Sequence, residues 1–189
     1  MATTAPTLLQ RHKLTVADYH RMGQVGILPE DGRVELIEGE IIEMPPIGSI
    51  DAGTVDQLVS LFSLAVGQQA IVRIQNPLVL SRHSEPEPDL ALLKPRDDFY
   101  KTSHPHPRDV LLIVEVADTT LRYNREVKVP LYARYGVAEV WLVDLENRCL
   151  LVFRQPAEEG YQEVQVLEQP EMMTPVMLPQ CHVDLTGLF

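Results

Sequence analysis

A chain of 189 residues with 45% apolar content can bury one sizeable core and is too short for two ordinary domains, so one domain over residues 1–189 is expected. A formal net charge of −11 repels a polyanion, so any nucleic-acid chemistry must rely on cations gathered locally. No basic segment leads into an apolar one at the amino terminus and no apolar run nears bilayer-spanning length, which excludes a membrane span and predicts a soluble cytoplasmic protein.

In chain order, Thr15 and Asp18 have the hydroxyl-then-acid spacing of a helix start leading into Tyr19 and Met22. Residues 33–44 alternate around Glu38-Gly39 and read as a β-hairpin, with Glu35 on its first strand as an acid on an exposed sheet face. Val55, Leu58, Val59, Phe62 and Val66 recur at three-four spacing, which predicts an amphipathic helix over 51–66, closed by Gly67, that covers one sheet face. Residues 70–80 are strand material broken at Asn76-Pro77, and the polar, proline-rich 81–88 is a loop that delivers Asp89.

Two apolar runs follow, 89–93 and 110–116, each expected as a buried strand, separated by a charged loop over 94–107. Within that loop His104 and His106 lie one residue apart between prolines, an extended arrangement that makes a poor preorganised chelate. A turn at 118–120 leads to a helical stretch ending at Gly136, and Pro130 requires either a late start near Val129 or a bend. Tyr132, Tyr135 and Trp141 read as packing residues. Residues 148–154, 160–167 and 172–178 read as a meander of strands whose exposed Val, Leu and Met edge invites pairing into a homodimer. Cys149 and Cys181 are too few for a zinc cluster or disulfide framework and are expected as reduced thiols. The pattern as a whole predicts an α/β or α+β domain built on a mixed sheet.

The chemistry concentrates in Asp89, Glu115 and Lys128. An acid inside a buried strand needs a partner, and Glu115 is the odd residue in its run. One Asp and one Glu on neighbouring strands suffice for a Mg²⁺ or Mn²⁺ ion that keeps several waters, and a nearby ammonium would help steady a displaced phosphodiester. The plainer alternatives are a turn acid at Asp89, a buried salt bridge from Glu115 to Arg122 or Arg125, and a solvated helix lysine at Lys128. Arg122, Arg125 and Lys128 recur every third residue, either as a phosphate track or as a solvated basic helix face.

Pro88-Asp89, Val114-Glu115-Val116 with Asp118, Lys128, the 132–137 segment Tyr-Ala-Arg-Tyr-Gly-Val and the 139–144 segment Glu-Val-Trp-Leu-Val-Asp together resemble the Uma-type family of putative restriction endonucleases, of the PD-(D/E)XK nuclease superfamily. The resemblance extends to 14–19, to the 32–42 hairpin and to 185–189. It implies a restriction-endonuclease-like mixed sheet flanked by helices with additional hairpins, Asp89 and Glu115 as metal ligands, and Lys128 as the catalytic lysine. The superfamily motif puts that lysine two residues after the glutamate, where this chain has Ala117; the Uma-type pattern puts it on the following helix, which matches Lys128. Asn124 stands where related sequences often carry an acid, and Asp51 where many carry a histidine. Glu35 and Asn124 are therefore second-tier site candidates.

The resulting expectation is a metal-dependent endonuclease that hydrolyses nucleic-acid phosphodiester bonds, DNA above all, by in-line attack of a metal-activated water. Two alternatives stand beside it: a non-catalytic binding or assembly protein on a nuclease scaffold, suggested by the acidic charge, and a hydrolase of a small phosphorylated molecule.

Overall fold

The computed structural model describes residues 11–29 and 32–189. Its centre is a six-stranded mixed sheet in the order β3-β4-β5-β6-β7-β8, formed by β3 (Ile71–Ile74), β4 (Leu90–Leu93), β5 (Val110–Ala117), β6 (Glu139–Asp144), β7 (Cys149–Ala157) and β8 (Gly160–Leu167). All neighbours are antiparallel except β5 and β6, which run parallel with Glu115 beside Leu142. That parallel step requires a crossover, and the helical residues 121–134 supply it.

Every residue of β4, β5 and β6 is buried, as expected for strands covered on both faces. Side chains alternate between the faces. Leu90, Leu92, Leu112, Val114, Val116, Trp141 and Val143 form one core with helix α2 (Ser49–Val66), where the Phe62 and Trp141 rings lie 5.7 Å apart. Ala91, Leu93, Ile113, Ala117, Val140 and Leu142 form a second core with Val129, Leu131 and Tyr132. Glu115, two residues from both Ile113 and Ala117, therefore faces the second core.

Helix α1 (Val16–Gln24) opens on the expected Thr15–Asp18 capping box and contributes no buried residue. The hairpin of β1 (Val34–Ile37) and β2 (Glu40–Glu43) turns through Glu38 and Gly39, both at positive φ. At φ +82°, with Lys13 Cβ only 2.6 Å from where a Cβ would stand, position 39 accepts glycine alone. The hairpin is stitched to the loop over 81–88 by Glu85 N–H to Leu36 O at 2.7 Å and Gly39 N–H to His83 O at 2.7 Å.

Three expectations change. Residues 172–178 do not extend the meander: only β9 (Met172–Met173) is strand, and it pairs with β10 (Val183–Asp184) in a separate two-stranded sheet. Residues 77–80 continue from β3 as extended chain without joining the sheet. The crossover is composite, running from α3 (Leu121–Tyr123) through a π-helical turn (Asn124–Lys128) into α4 (Val129–Arg134). Pro130 lies in the first turn of α4, directly after the π-helical turn, and Gly136 at φ +76° ends the helix. Strand β8 is a sheet edge with Val164 and Val166 exposed. Among the described residues no helix is long and apolar enough to cross a membrane.

Candidate metal centre

Glu115 is carried by the central strand β5 and is 1% exposed, a position an isolated carboxylate could not hold. Two donors meet its Oε1: Lys128 Nζ at 2.8 Å and the Tyr132 hydroxyl at 2.6 Å. The partner is thus Lys128, not Arg122 or Arg125. Arg122 lies on the surface in an i,i+4 pair with Glu126, and Arg125 is exposed. Lys128 is no solvated helix lysine either, because it is 2% exposed. The crossover keeps Arg122 and Arg125 on its outer side, while Asn124, Lys128 and Tyr132, each four residues from the next, share its buried face.

The Lys128 ammonium uses its three donors on Glu115 Oε1, on Glu35 Oε1 at 3.2 Å and on the Glu87 carbonyl at 3.3 Å. Glu35 is the second correction. It is 3% exposed rather than a surface acid, because the hairpin face that carries it packs against residues 81–88 and the π-helical turn. Its Oε1 also accepts the Glu87 N–H at 2.9 Å, while its Oε2 is buried without a hydrogen-bond partner among the described residues. Asn124, 2% exposed, likewise has an Oδ1 without a donor.

Asp89 stands at the entry to β4. Its Oδ2 accepts the Val116 N–H at 2.9 Å, which pins it next to the strand that carries Glu115, and its Oδ1 accepts from Gln75 at 3.3 Å. Asp89, Glu115, Lys128, Glu35 and Asn124 all line one cleft with about 40 Å³ of free space. Glu87, Asp51 from the first turn of α2, and Arg33 line it too. Ala117, where the superfamily motif has its lysine, lies on the face of Glu115, and Lys128 reaches that face from the crossover instead.

Five carboxylates (Glu35, Asp51, Glu87, Asp89, Glu115) share this cleft with two cations (Lys128, Arg33). Burial, with the charges of Asp89 and Glu35 adding to it and Lys128 only partly offsetting it, pushes the Glu115 carboxyl up to about 7. Burial alone would pull Lys128 down, but Glu115, Glu35 and Asp89 outweigh it and hold the ammonium above the ordinary lysine range. Burial likewise raises Glu87 and Asp51, with Glu35 and Asp118 respectively as the next cause. The surplus negative charge, an all-oxygen donor set and two orphaned buried oxygens fit a hard divalent cation such as Mg²⁺ or Mn²⁺.

A family model described as Uma2, "putative restriction endonuclease", matches residues 16–186. The chain belongs to the Uma2 family. A crystal structure from Anabaena variabilis ATCC 29413, described as "a putative nuclease belonging to DUF820", has the same fold: the TM-score is 0.69 at 19% identity, over 93% of this chain and 97% of that one. No curated protein matches the chain. Membership in the Uma2 family agrees with the resemblance drawn from Asp89, Glu115 and Lys128 in order.

Tyr132 and the Glu87 backbone are the parts that sequence reasoning missed. Tyr132 was expected in packing, which its ring does, but its hydroxyl also holds Glu115. Its four-residue spacing from Lys128 was the available signal, since i and i+4 side chains share a helix face. His104 and His106 do not converge: His104 Nδ1 pairs with Arg73 at 3.1 Å, whereas His106 Nδ1 pairs with the Val79 carbonyl at 3.1 Å.

Proposed function

We propose that the protein is a metal-dependent endonuclease that hydrolyses nucleic-acid phosphodiester bonds, with Asp89 and Glu115 as ligands for Mg²⁺ or Mn²⁺. The observation that carries this reading is the surplus of oxygen donors around one buried ammonium, with Glu35 Oε2 and Asn124 Oδ1 left without partners. When bound, the ion supplies Lewis-acid charge at a phosphate oxygen and makes water more acidic.

The chain's own residues do the positioning. Lys128 and Tyr132 both engage Glu115 Oε1, which leaves Oε2 as the ligand oxygen. Val116 N–H does the same for Asp89 by occupying Oδ2. Lys128 keeps its proton, ties Glu35 and Glu115 together, and provides a fixed positive charge beside the scissile phosphate. Glu35 and Asn124 contribute the outer oxygens of the site. The cleft is too small for a nucleotide, so the substrate backbone lies across its mouth and presents one phosphate. Family membership supports a nucleic-acid substrate, and DNA is the form to test first. The acidic surface makes cation neutralisation at this cleft essential for binding.

The test is cleavage of duplex DNA, single-stranded DNA and RNA with Mg²⁺ or Mn²⁺ by wild type, Asp89→Asn and Glu115→Gln. Cleavage by wild type that both variants lose supports the assignment; cleavage retained in either variant removes it. A binding or assembly role on the same scaffold is favoured by one observation, the internal use of all three Lys128 donors. It predicts no turnover with any metal.

A further inference from the structure

A second cluster of metal-ligating side chains lies outside the carboxylate cleft. His20 from α1, Glu85 from the loop over 81–88 and His104 from the loop over 94–107 place one ligand atom each within 4.8 Å of one another. We propose that these three residues bind a divalent transition ion of the zinc class, which clasps α1 to the loop that delivers Asp89. This inference does not depend on the nuclease reading.

Two imidazoles and one carboxylate are the donor set that zinc-class ions take, with bonds of about 2.0–2.2 Å and a tetrahedral edge of roughly 3.3 Å between ligand atoms. His20 Nε2 and Glu85 Oε1 are 2.7 Å apart, so a small outward shift of the side chains makes room for an ion. The second, independent observation is Glu85 itself. Its side chain is 1% exposed, yet among the described residues its Oε2 has no hydrogen-bond partner. A buried carboxylate oxygen without a donor is costly, and a cation at this point satisfies it. The His20 and His104 rings, with centroids 6.0 Å apart and planes at 72°, line a surface depression shared with Tyr100, Lys101, Ser103 and His106, which opens the two imidazoles to solvent.

Helix α1 gives the site its purpose. With no buried residue of its own, α1 is held by the Tyr19 hydroxyl on Val34 O at 2.8 Å, by Val16 N–H on Arg82 O at 2.8 Å and by the His20–Glu85 pair. An ion there ties α1 into the segment whose Glu87 backbone supports Glu35 and Lys128. Arg73 is the opposing group: its guanidinium donates to His104 Nδ1 at 3.1 Å. Metal binding at Nε2 moves the ring proton to Nδ1 and releases that donor, so Arg73 limits affinity without closing the site.

The experiment adds Co²⁺ to the full-length protein in saturating Mg²⁺ and reads the visible ligand-field band, with Zn²⁺ as competitor. One equivalent of Co²⁺ is expected to give a band of tetrahedral intensity, displaced by Zn²⁺, lost in His20→Ala and in His104→Ala, and retained in Glu115→Gln. Zn²⁺ should also raise the melting temperature of wild type and not of His20→Ala, which replaces a side chain that is 41% exposed and whose retained fold is checked by circular dichroism. No band, a band unchanged in both histidine variants, or a band lost in Glu115→Gln overturns the proposal.

Discussion

Replacing Lys128 by methionine keeps most of the side-chain volume and deletes the charge on which two buried carboxylates depend. Glu35 Oε1 and Glu115 Oε1, 3.2 and 2.8 Å from Nζ, would lose their counter-ion in a site where lysine and both acids are almost fully buried. Removing one partner of a buried pair costs about 3–5 kcal/mol. For a domain of this size each kcal/mol moves the melting temperature by about 2–4 °C, so a fall of roughly 6–20 °C is expected. The loss should depend on pH. Lys128 lowers the Glu115 carboxyl, which nevertheless stands at about 7, so removing Lys128 raises it further above its unfolded value. A carboxyl raised by folding contributes stability below its unfolded pKa and loses it as pH rises through the folded one. Lys128→Met should therefore melt close to wild type near about pH 5 and far below it near about pH 8, and adding Glu115→Gln should recover part of the difference. Differential scanning calorimetry across this range is the assay. A deficit that does not change with pH, or a melting temperature within about 2 °C of wild type throughout, would refute the reasoning.

Other outcomes follow from the same geometry. Tyr132→Phe removes a 2.6 Å hydrogen bond to Glu115 and should cost about 1–3 kcal/mol in denaturant melts, together with a fall in any metal-dependent cleavage. Asp89→Asn keeps an oxygen for the Val116 N–H, so it should melt within about 1 kcal/mol of wild type while metal-dependent cleavage falls at least about a hundredfold. With its carboxyl at about 7, Glu115 holds a proton that an ion must displace, so Mn²⁺ affinity by calorimetry should rise about tenfold per pH unit below that point and level off above it, with an apparent binding enthalpy that changes with the ionisation enthalpy of the buffer as the proton is released.

The sheet was legible because the short apolar stretches at 89–93, 110–116 and 139–144, bounded by turn and polar residues, have the length and composition of buried strands, and Glu115 stands out as the acid inside one of them. Asp89 and Lys128 were singled out by their order along the chain with Glu115, and the fold brings all three to one cleft. Glu35 was misread because alternation shows which residues share a face, not whether another segment covers that face; the cover is residues 81–88, some fifty positions away. The depth of Lys128 was hidden because a three-residue stripe drifts around a helix: grouped with Arg122 and Arg125, Lys128 in fact falls on the buried face shared by Asn124 and Tyr132, four residues to either side. The 172–178 run looked like a third meander strand on composition, but its partner is β10, a pairing that β-propensity does not encode. The His20, Glu85 and His104 cluster has no local signature either, since one helix and two loops bring it together from distant positions.

The most direct test of the metal centre is calorimetric titration of Mn²⁺ and Mg²⁺ into wild type and into the Asp89→Ala, Glu115→Ala double variant, each with and without an oligonucleotide whose scissile bridging oxygen is replaced by a methylene group, which blocks cleavage and keeps both non-bridging oxygens to complete the coordination sphere. The expected result is saturable binding by wild type, tightened by the oligonucleotide and absent from a double variant that remains folded. Equal binding by both proteins, or none by wild type even with the oligonucleotide present, would contradict a catalytic metal site at Asp89 and Glu115.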